Sequence, residues 1–337
     1  MKLYPLKFKP FLRVMVWGGN KIATFKGIQT DLEKVGESWE ISAVPGHESI
    51  VKGGVFDGRS LTSLVKEYKG KLVGEHVYAK EGDQFPLLVK FIDARDDLSI
   101  QVHPDDELAR AKYDSKGKTE MWYVIGAEAG AHLLSGLSEA ISPEEYERRV
   151  ADNTITDVLA SHEVKPGDVF FLPAGRIHAI CSGCFLAEIQ ETSDVTFRIY
   201  DYGRLGLDGK PRELHVEQAK EAIDYKVYPS YRTEYEPRKD APARVVDCKF
   251  FTTDVWDLDK PVRKDLSDID SFLVVICVGG KGELVDEEEG ACDYCGPRKE
   301  RVSIRQGETV LIPASAKGVI FIPADGSNLR IVTSYIR

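Results

Sequence analysis

One pattern of eighteen residues occurs twice in this chain. "EVKPGDVFFLPAGRIHAI" (163–180) aligns with "SIRQGETVLIPASAKGVI" (303–320). Each copy is a β-rich run broken by a glycine and then by a proline at the same spacing, Gly167 and Pro173 in the first, Gly307 and Pro313 in the second. Glycine allows the backbone of a tight turn, and proline cannot donate to a ladder, so the pair punctuates strands. A local pattern that recurs marks a duplicated supersecondary unit. Two similar β modules are therefore expected. The copies differ where the first has Gly175 and His178 and the second has Ser315 and Gly318. Only the first keeps the histidine, a possible metal ligand, at that place in the pattern, so the chemistry is expected there.

The remaining segments fit this division. "PLLVKFIDA", "LSIQVHP", "EMWYVIGA", "CFLAEIQE" and "VTFRIYD" are short, β-branched or aromatic, and bounded by Gly, Pro, Asp or Ser. After residue 240 the strand pattern continues alone, as in "SFLVVICVGG" and "LRIVTSYI". Four segments read as helix. In "SLTSLVKEYKG" (60–70), Leu61, Leu64, Val65 and Tyr68 share a face, Ser60 caps the start and Gly70 the end. "PDDELARAKY" (104–113) carries acids in its first turn. "SPEEYERRV" offers Ser142, Pro143 and Glu145 as a capping box, and "RELHVEQAKEAI" (212–223) is the fourth. The polar, proline-bearing stretch 228–245 reads as a link between modules.

Length and charge bound the function. The chain has 337 residues, is 42% hydrophobic, and carries a formal net charge of −10. Such a chain can bury a large core, and without a long basic run it is not expected to bind nucleic acid. No apolar stretch reaches the length of a membrane span, and Lys7, Lys9 and Arg13 interrupt the N-terminus. A cytoplasmic protein, monomer or homodimer, is expected. Six cysteines include two C-x-x-C pairs, Cys181/Cys184 and Cys292/Cys295. Their wide separation argues against a shared structural zinc, and reduced thiols are the expectation in the cytosol.

In "LSIQVHP", Gln101 and His103 lie two apart, so a strand would project both from one face while Leu98, Ile100 and Val102 face the other way. Glu120 opens "EMWYVIG", with Lys118 two residues earlier, and His178 comes from the repeat. Two imidazoles and a carboxylate suit a divalent first-row metal, with the Gln101 amide as a fourth ligand. The first repeat copy, G-x5-P-x-G-x2-H, resembles the second motif of the cupin superfamily of double-sheet barrels. That resemblance implies a mainly β fold of two cupin-like jelly-roll domains, with a few short helices inserted in or flanking the first. Residues 1–240 would form the catalytic domain and 241–337 a degenerate one without a metal site.

The longer motifs go further. "WGG" (17–19), "GESWEIS" (36–42), "LLVKFIDARDDLSIQVHPDDELA" (87–109), "GKTEMWYVI" (117–125), "PGDVFFLPAGRIHAI" (166–180) and "EIQETSDVTFRIYDYGR" (188–204) resemble the type I mannose-6-phosphate isomerases of the shorter bacterial kind. The resemblance implies one zinc ion per chain on Gln101, His103, Glu120 and His178, a catalytic arginine at Arg198, and substrate contacts at Lys118, Ser99, Asp194 and Arg176. The sequence departs from the family pattern at Ile180, where a tyrosine is frequent. Trp17 and Trp39 are expected to pack, and the glycines beside Trp17 to serve turns.

Aldose–ketose isomerisation moves a proton between C1 and C2 through an enediolate, whose charge a metal and fixed cations can stabilise. Asp194, Thr196, Arg198 and Tyr200 are expected on one strand face. A guanidinium is too basic for an easy general base, so Arg198 is assigned to enediolate stabilisation or substrate placement. The carbon base is left open. Lys118 and Arg198, with Arg176 or Lys90, are candidates to meet the phosphate. Two alternatives stand beside the isomerase. Two histidines and a glutamate also form the facial triad of iron oxygenases, although Gln101 would block an open position. A phosphosugar-binding protein without turnover is the third reading.

Overall fold

A computed structural model describes residues 3–287 and 300–337, and antiparallel sheets dominate it. The fold is mainly β and cupin-like. A six-stranded sheet runs in the order Val169–Leu172, Glu120–Ala127, Cys184–Glu191, Leu87–Asp93, Val35–Ile41, Phe11–Gly19. It faces a five-stranded sheet of Phe197–Tyr200, Ile100–Val102, His178–Ile180, His132–Leu137 and Leu159–Glu163. Further along the chain, a seven-stranded sheet and a four-stranded sheet form a second sandwich. The repeat is realised in both. Leu159–Glu163, Val169–Leu172 and His178–Ile180 correspond to Glu300–Arg305, Thr309–Ile312 and Gly318–Pro323, with Gly167 and Gly307 at φ of 94° and 80° in matching turns.

The six-stranded sheet is covered on both faces, which explains why Leu87–Asp93 is buried throughout. Leu87, Val89 and Phe91 pack into a core shared with Val274, Ile276, Leu311 and Val332 of the seven-stranded sheet. Burial of a side chain such as Phe91 stabilises by about 1.5–3 kcal/mol. Leu88, Lys90 and Ile92 take the other face of the pleat, toward the five-stranded sheet. The chain's first strand, Leu6–Lys9, pairs with Thr309–Ile312 and with Ile50–Val51, so early residues are built into the seven-stranded sheet. A buried contact reinforces the junction: the Lys26 ammonium bonds Glu40 at 2.6 Å and the Gly307 carbonyl at 2.5 Å.

Helices lie where the periodicity predicts, with altered ends. Ser60 caps Leu61–Tyr68, but Lys69, at φ 49°, ends it, and Gly70 opens a further short turn of helix. Ser142 accepts from the Glu145 amide, whereas the Glu145 carboxylate turns to Arg148 and Arg149 rather than back to the cap. The last helix spans only Val216–Ala222. Its expected first turn is pulled straight because the His215 amide bonds the Arg198 carbonyl at 2.7 Å and Arg212 is held by Asp201. Gly18 and Gly19 lie in a strand rather than a turn. A Cβ on Gly18 would sit 2.1 Å from the Lys34 carbonyl oxygen, and one on Gly19 2.2 Å from Asp93.

Candidate active site

Register brings the site together. Across the five-stranded sheet, Arg198 stands opposite Gln101, and Gln101 opposite His178. Glu120 reaches the same point from the facing sheet. Its Oε1 lies 3.2 Å from His178 Nε2 and its Oε2 3.4 Å from His103 Nε2. The Gln101 amide nitrogen is 3.3 Å from His178 Nε2, and turning the amide over presents its oxygen to the same point. Donor atoms of His103, Glu120 and His178 all fall within 4.8 Å of one another, and all three residues are buried.

The donor set fits a divalent cation. His103 Nδ1 faces the Val195 carbonyl at 2.9 Å and His178 Nδ1 the Arg176 carbonyl at 2.8 Å. A carbonyl oxygen only accepts, so each Nδ1 carries the proton and each Nε2 turns a lone pair inward, the tautomer metal binding requires. Burial, then the Lys118 ammonium, pushes the His103 imidazole down to about 3, and burial lowers His178 as well. Both rings are neutral near pH 7. Burial is the largest influence on Glu120 and opposes its charge, but Lys118 and the two facing histidines together outweigh it and hold the carboxyl well below its ordinary range. Neither Glu120 oxygen accepts a hydrogen bond of good geometry, although the Lys118 ammonium lies 2.9 Å from Oε2. A buried carboxylate with free lone pairs beside two inward imidazoles is a place for a cation.

A cavity of about 310 Å³ opens over this cluster. Ser99, Gln101 and Lys118 line its floor, with Trp17 and Ile180 beside them. One wall is a row across the six-stranded sheet. Trp122 Nε1 donates to Glu188 Oε2 at 2.8 Å, and Glu188 Oε1 bonds the Lys90 ammonium at 2.9 Å. Lys90 also lies over the Trp39 ring, whose Nε1 donates to Glu37 at 2.7 Å, and Arg13 pairs with Glu37 at 3.2 Å. Burial opposes the Lys90 charge, but Glu188 and Glu37 raise its pKa above the ordinary value. At the mouth stand Asp194, Thr196, Arg198, Arg212 and His215. Asp201 grips Arg212 at 2.5 and 2.6 Å and also Arg204. Arg198 has its Nε buried without a partner, and its NH1 donates to the Glu213 carbonyl at 2.9 Å. Burial and the neighbouring Arg212 both depress its pKa.

Of the residues named from sequence, Gln101, His103, Glu120 and His178 are brought together, and Ser99, Lys118, Asp194 and Arg198 line the cavity above them. Arg176 does not. Its turn directs the guanidinium onto the rings of Tyr228 and Tyr231, and it is absent from the cavity lining. Tyr200 also departs, because a bulge after Arg198 shifts the strand and its ring packs on Tyr202. Trp17, expected only to pack, lines the cavity. Cys181 and Cys184 are free and buried, and burial pushes both thiols up, Cys184 to about 12. Cys292 and Cys295 lie outside the described residues. Glu37, Glu188, Arg212 and His215 were not anticipated. The signal for Glu188 is its place in "CFLAEIQE", where it shares a pleat face with Leu186 and Gln190.

Residues 6–124 match the family described as phosphomannose isomerase type I, catalytic domain. Mannose-6-phosphate isomerase ManA of Bacillus subtilis is 34% identical over 93% of this chain and 94% of its own. The chain belongs to the type I phosphomannose isomerase family. The mannose-6-phosphate isomerase of Streptococcus mutans is 33% identical, with 98% of each chain covered. A solved mannose 6-phosphate isomerase structure from Bacillus subtilis superposes with a TM-score of 0.85 at 30% identity, covering 98% of this chain and 99% of that one. Among the described residues no helix is long and apolar enough to cross a membrane.

Proposed function

We propose that the chain interconverts mannose 6-phosphate and fructose 6-phosphate with one zinc ion held by Gln101, His103, Glu120 and His178. The observation that carries the reading is the convergence of two inward Nε2 lone pairs and a buried carboxylate, ion-paired to Lys118 but without a hydrogen bond of good geometry, at the floor of a cavity with guanidinium groups at its mouth. Two nitrogens, a carboxylate oxygen and an amide oxygen make a borderline-hard set suited to zinc. When bound, the ion supplies Lewis acidity that stabilises oxyanion charge on the substrate.

The chain's own residues do the rest. The Arg198 guanidinium, beside Gln101 in register, faces the sugar end and stabilises the enediolate through its unpartnered N–H groups. Arg212, oriented by Asp201, meets the phosphate together with His215, because a planar fork of donors matches phosphate oxygens. Lys118, at 2.9 Å from Glu120, holds a proton donor next to the substrate hydroxyls. Ser99 and Asp194 contact the sugar hydroxyls. The second copy of the repeat is expected to hold no catalytic metal, since Gly318 stands where the first has His178.

A coupled assay for fructose 6-phosphate tests the reading. Activity is expected in the purified protein, lost with a chelator and restored by zinc, with one zinc per chain by elemental analysis. Full turnover in demonstrably metal-free protein would overturn it.

A further inference from the structure

The Arg176 guanidinium, turned away from the cavity, is nevertheless tied to the metal cluster. It lies 4.7 Å from the ring centroid of Tyr228 and 4.5 Å from that of Tyr231, and the residue is only 8% exposed. This aromatic pair is itself anchored. Tyr231 Oη donates to the Leu137 carbonyl at 2.7 Å and accepts from the Tyr228 amide at 3.1 Å, and Tyr228 Oη donates to Asp224 at 2.6 Å. Space is reserved for the Tyr231 ring at Gly136, where a Cβ would fall 2.1 Å from Cε1. The Asp224 amide in turn bonds the Gly175 carbonyl at 2.8 Å.

These contacts enclose the turn that presents His178 and that touches the backbone of His103. The Gly175 amide bonds the His103 carbonyl at 2.9 Å, and the Ile177 carbonyl accepts from Gly136 at 2.8 Å. Between them the Arg176 carbonyl accepts His178 Nδ1–H at 2.8 Å. That carbonyl fixes the tautomer and the ring plane of His178. A partner that orients a ligating histidine tunes metal affinity without touching the metal.

We infer that Tyr228 and Tyr231 clasp Arg176 as a positioning device for zinc, holding the peptide whose carbonyl aims His178 at the ion. The inference rests on the metal role of His178 proposed above. The two rings meet edge to face, 5.9 Å between centroids, and the guanidinium lies over both in the corner they form, where its charge is drawn to their faces. The device reaches the cluster from the segment that leads to the second sandwich, so the connecting chain contributes to the site it leaves.

Zinc affinity, measured by competition with a chromophoric chelator, tests it on the full chain. Arg176→Met is expected to weaken zinc binding about 10–100-fold, with kcat and KM near wild type once zinc saturates and with the thermal midpoint of the metal-free protein nearly unchanged. Arg176→Lys, which keeps the cation, is expected to recover part of the affinity. Tyr228→Leu removes one half of the clasp at a partly exposed position and should weaken zinc in the same direction, so a misfolded Arg176→Met leaves the idea testable. His178→Ala runs alongside. If it keeps wild-type zinc affinity, the metal reading fails. If it loses zinc while Arg176→Met and Tyr228→Leu bind zinc as wild type, the clasp alone is refuted. A raised KM with unchanged zinc affinity would refute it too, by making Arg176 a substrate contact.

Discussion

Arg198→Lys separates two roles that the cavity permits for this guanidinium. In the structure Arg198 uses one N–H on the Glu213 carbonyl and leaves a buried Nε–H without a partner. Nothing it bonds is a proposed metal ligand, so the substitution should leave zinc content at one per chain. Loss of the Glu213 bond should cost folding about 1 kcal/mol. The larger effect is kinetic. Lysine keeps the charge but not the fork, so a donor aimed at developing oxyanion charge is lost, worth about 2.7–4 kcal/mol or 10²–10³ in kcat. Retained charge favours the lower end, roughly a hundredfold. Steady-state kinetics on mannose 6-phosphate should show kcat and kcat/KM falling by similar factors, the sign of an interaction made only in the transition state. A raised KM with kcat intact would assign Arg198 to phosphate binding instead. Wild-type kcat and KM together would remove it from the mechanism.

Two further outcomes follow from buried charge. Lys90→Met should destabilise the fold by about 3–5 kcal/mol in denaturant titration, because Glu188 loses its buried partner; adding Glu188→Gln should recover most of that, and an additive double mutant would count against the pairing. Glu191 is a buried carboxyl that accepts from the Thr119 amide, and burial pushes its pKa up to about 8 from an ordinary 4.5. Between those values the folded protein holds a proton that the unfolded chain has lost, so stability falls as pH rises across this window. Glu191→Gln should therefore gain on wild type from pH 5 to pH 8 in thermal midpoint, and a pH-independent difference would refute the shift.

What the sequence discloses about the site is its local part. Gln101 and His103 share a face by the two-residue period of a strand, and the glycine and proline before His178 announce the turn that presents it. The hidden residues depend on contacts far apart in the chain. Leu87–Asp93 is apolar on both sides of Lys90 because the second sandwich covers its far face, so no alternation shows that Lys90, a candidate for the phosphate, instead pairs with Glu188 across the sheet. Arg212 reads as the start of a helix, and only Asp201 and the Arg198 carbonyl, eleven and fourteen residues back, draw that turn into the cavity. Arg176 sits two residues before His178 and would share its face on a straight strand. Gly175, at φ 87°, bends the backbone and sends it to the tyrosines instead. Pairing of Leu6–Lys9 with Thr309–Ile312 spans nearly the whole chain and leaves no local trace.

Charge ties these residues to the substrate. The chain is acidic overall, at −10, yet the cavity must attract a phosphosugar dianion. On the wall, Lys90 is matched by Glu188 and Arg13 by Glu37, so that row is electrically balanced. On the floor, Lys118 is matched by Glu120, and the two imidazoles are neutral. Excess positive charge in the bare protein is then confined to the mouth, where Arg198, Arg204 and Arg212 face the carboxylates of Asp201 and Asp194 and outnumber them by one. A divalent ion on the floor adds the second positive pole, at the end where an enediolate would gather its charge. Within a low-dielectric pocket, fixed poles of this kind act more strongly than in water and need no reorganisation when charge develops. In the proposed function the arginines at the mouth orient the phosphate and the floor becomes electropositive only with the ion, so metal removal is expected to abolish turnover while sugar-phosphate binding persists.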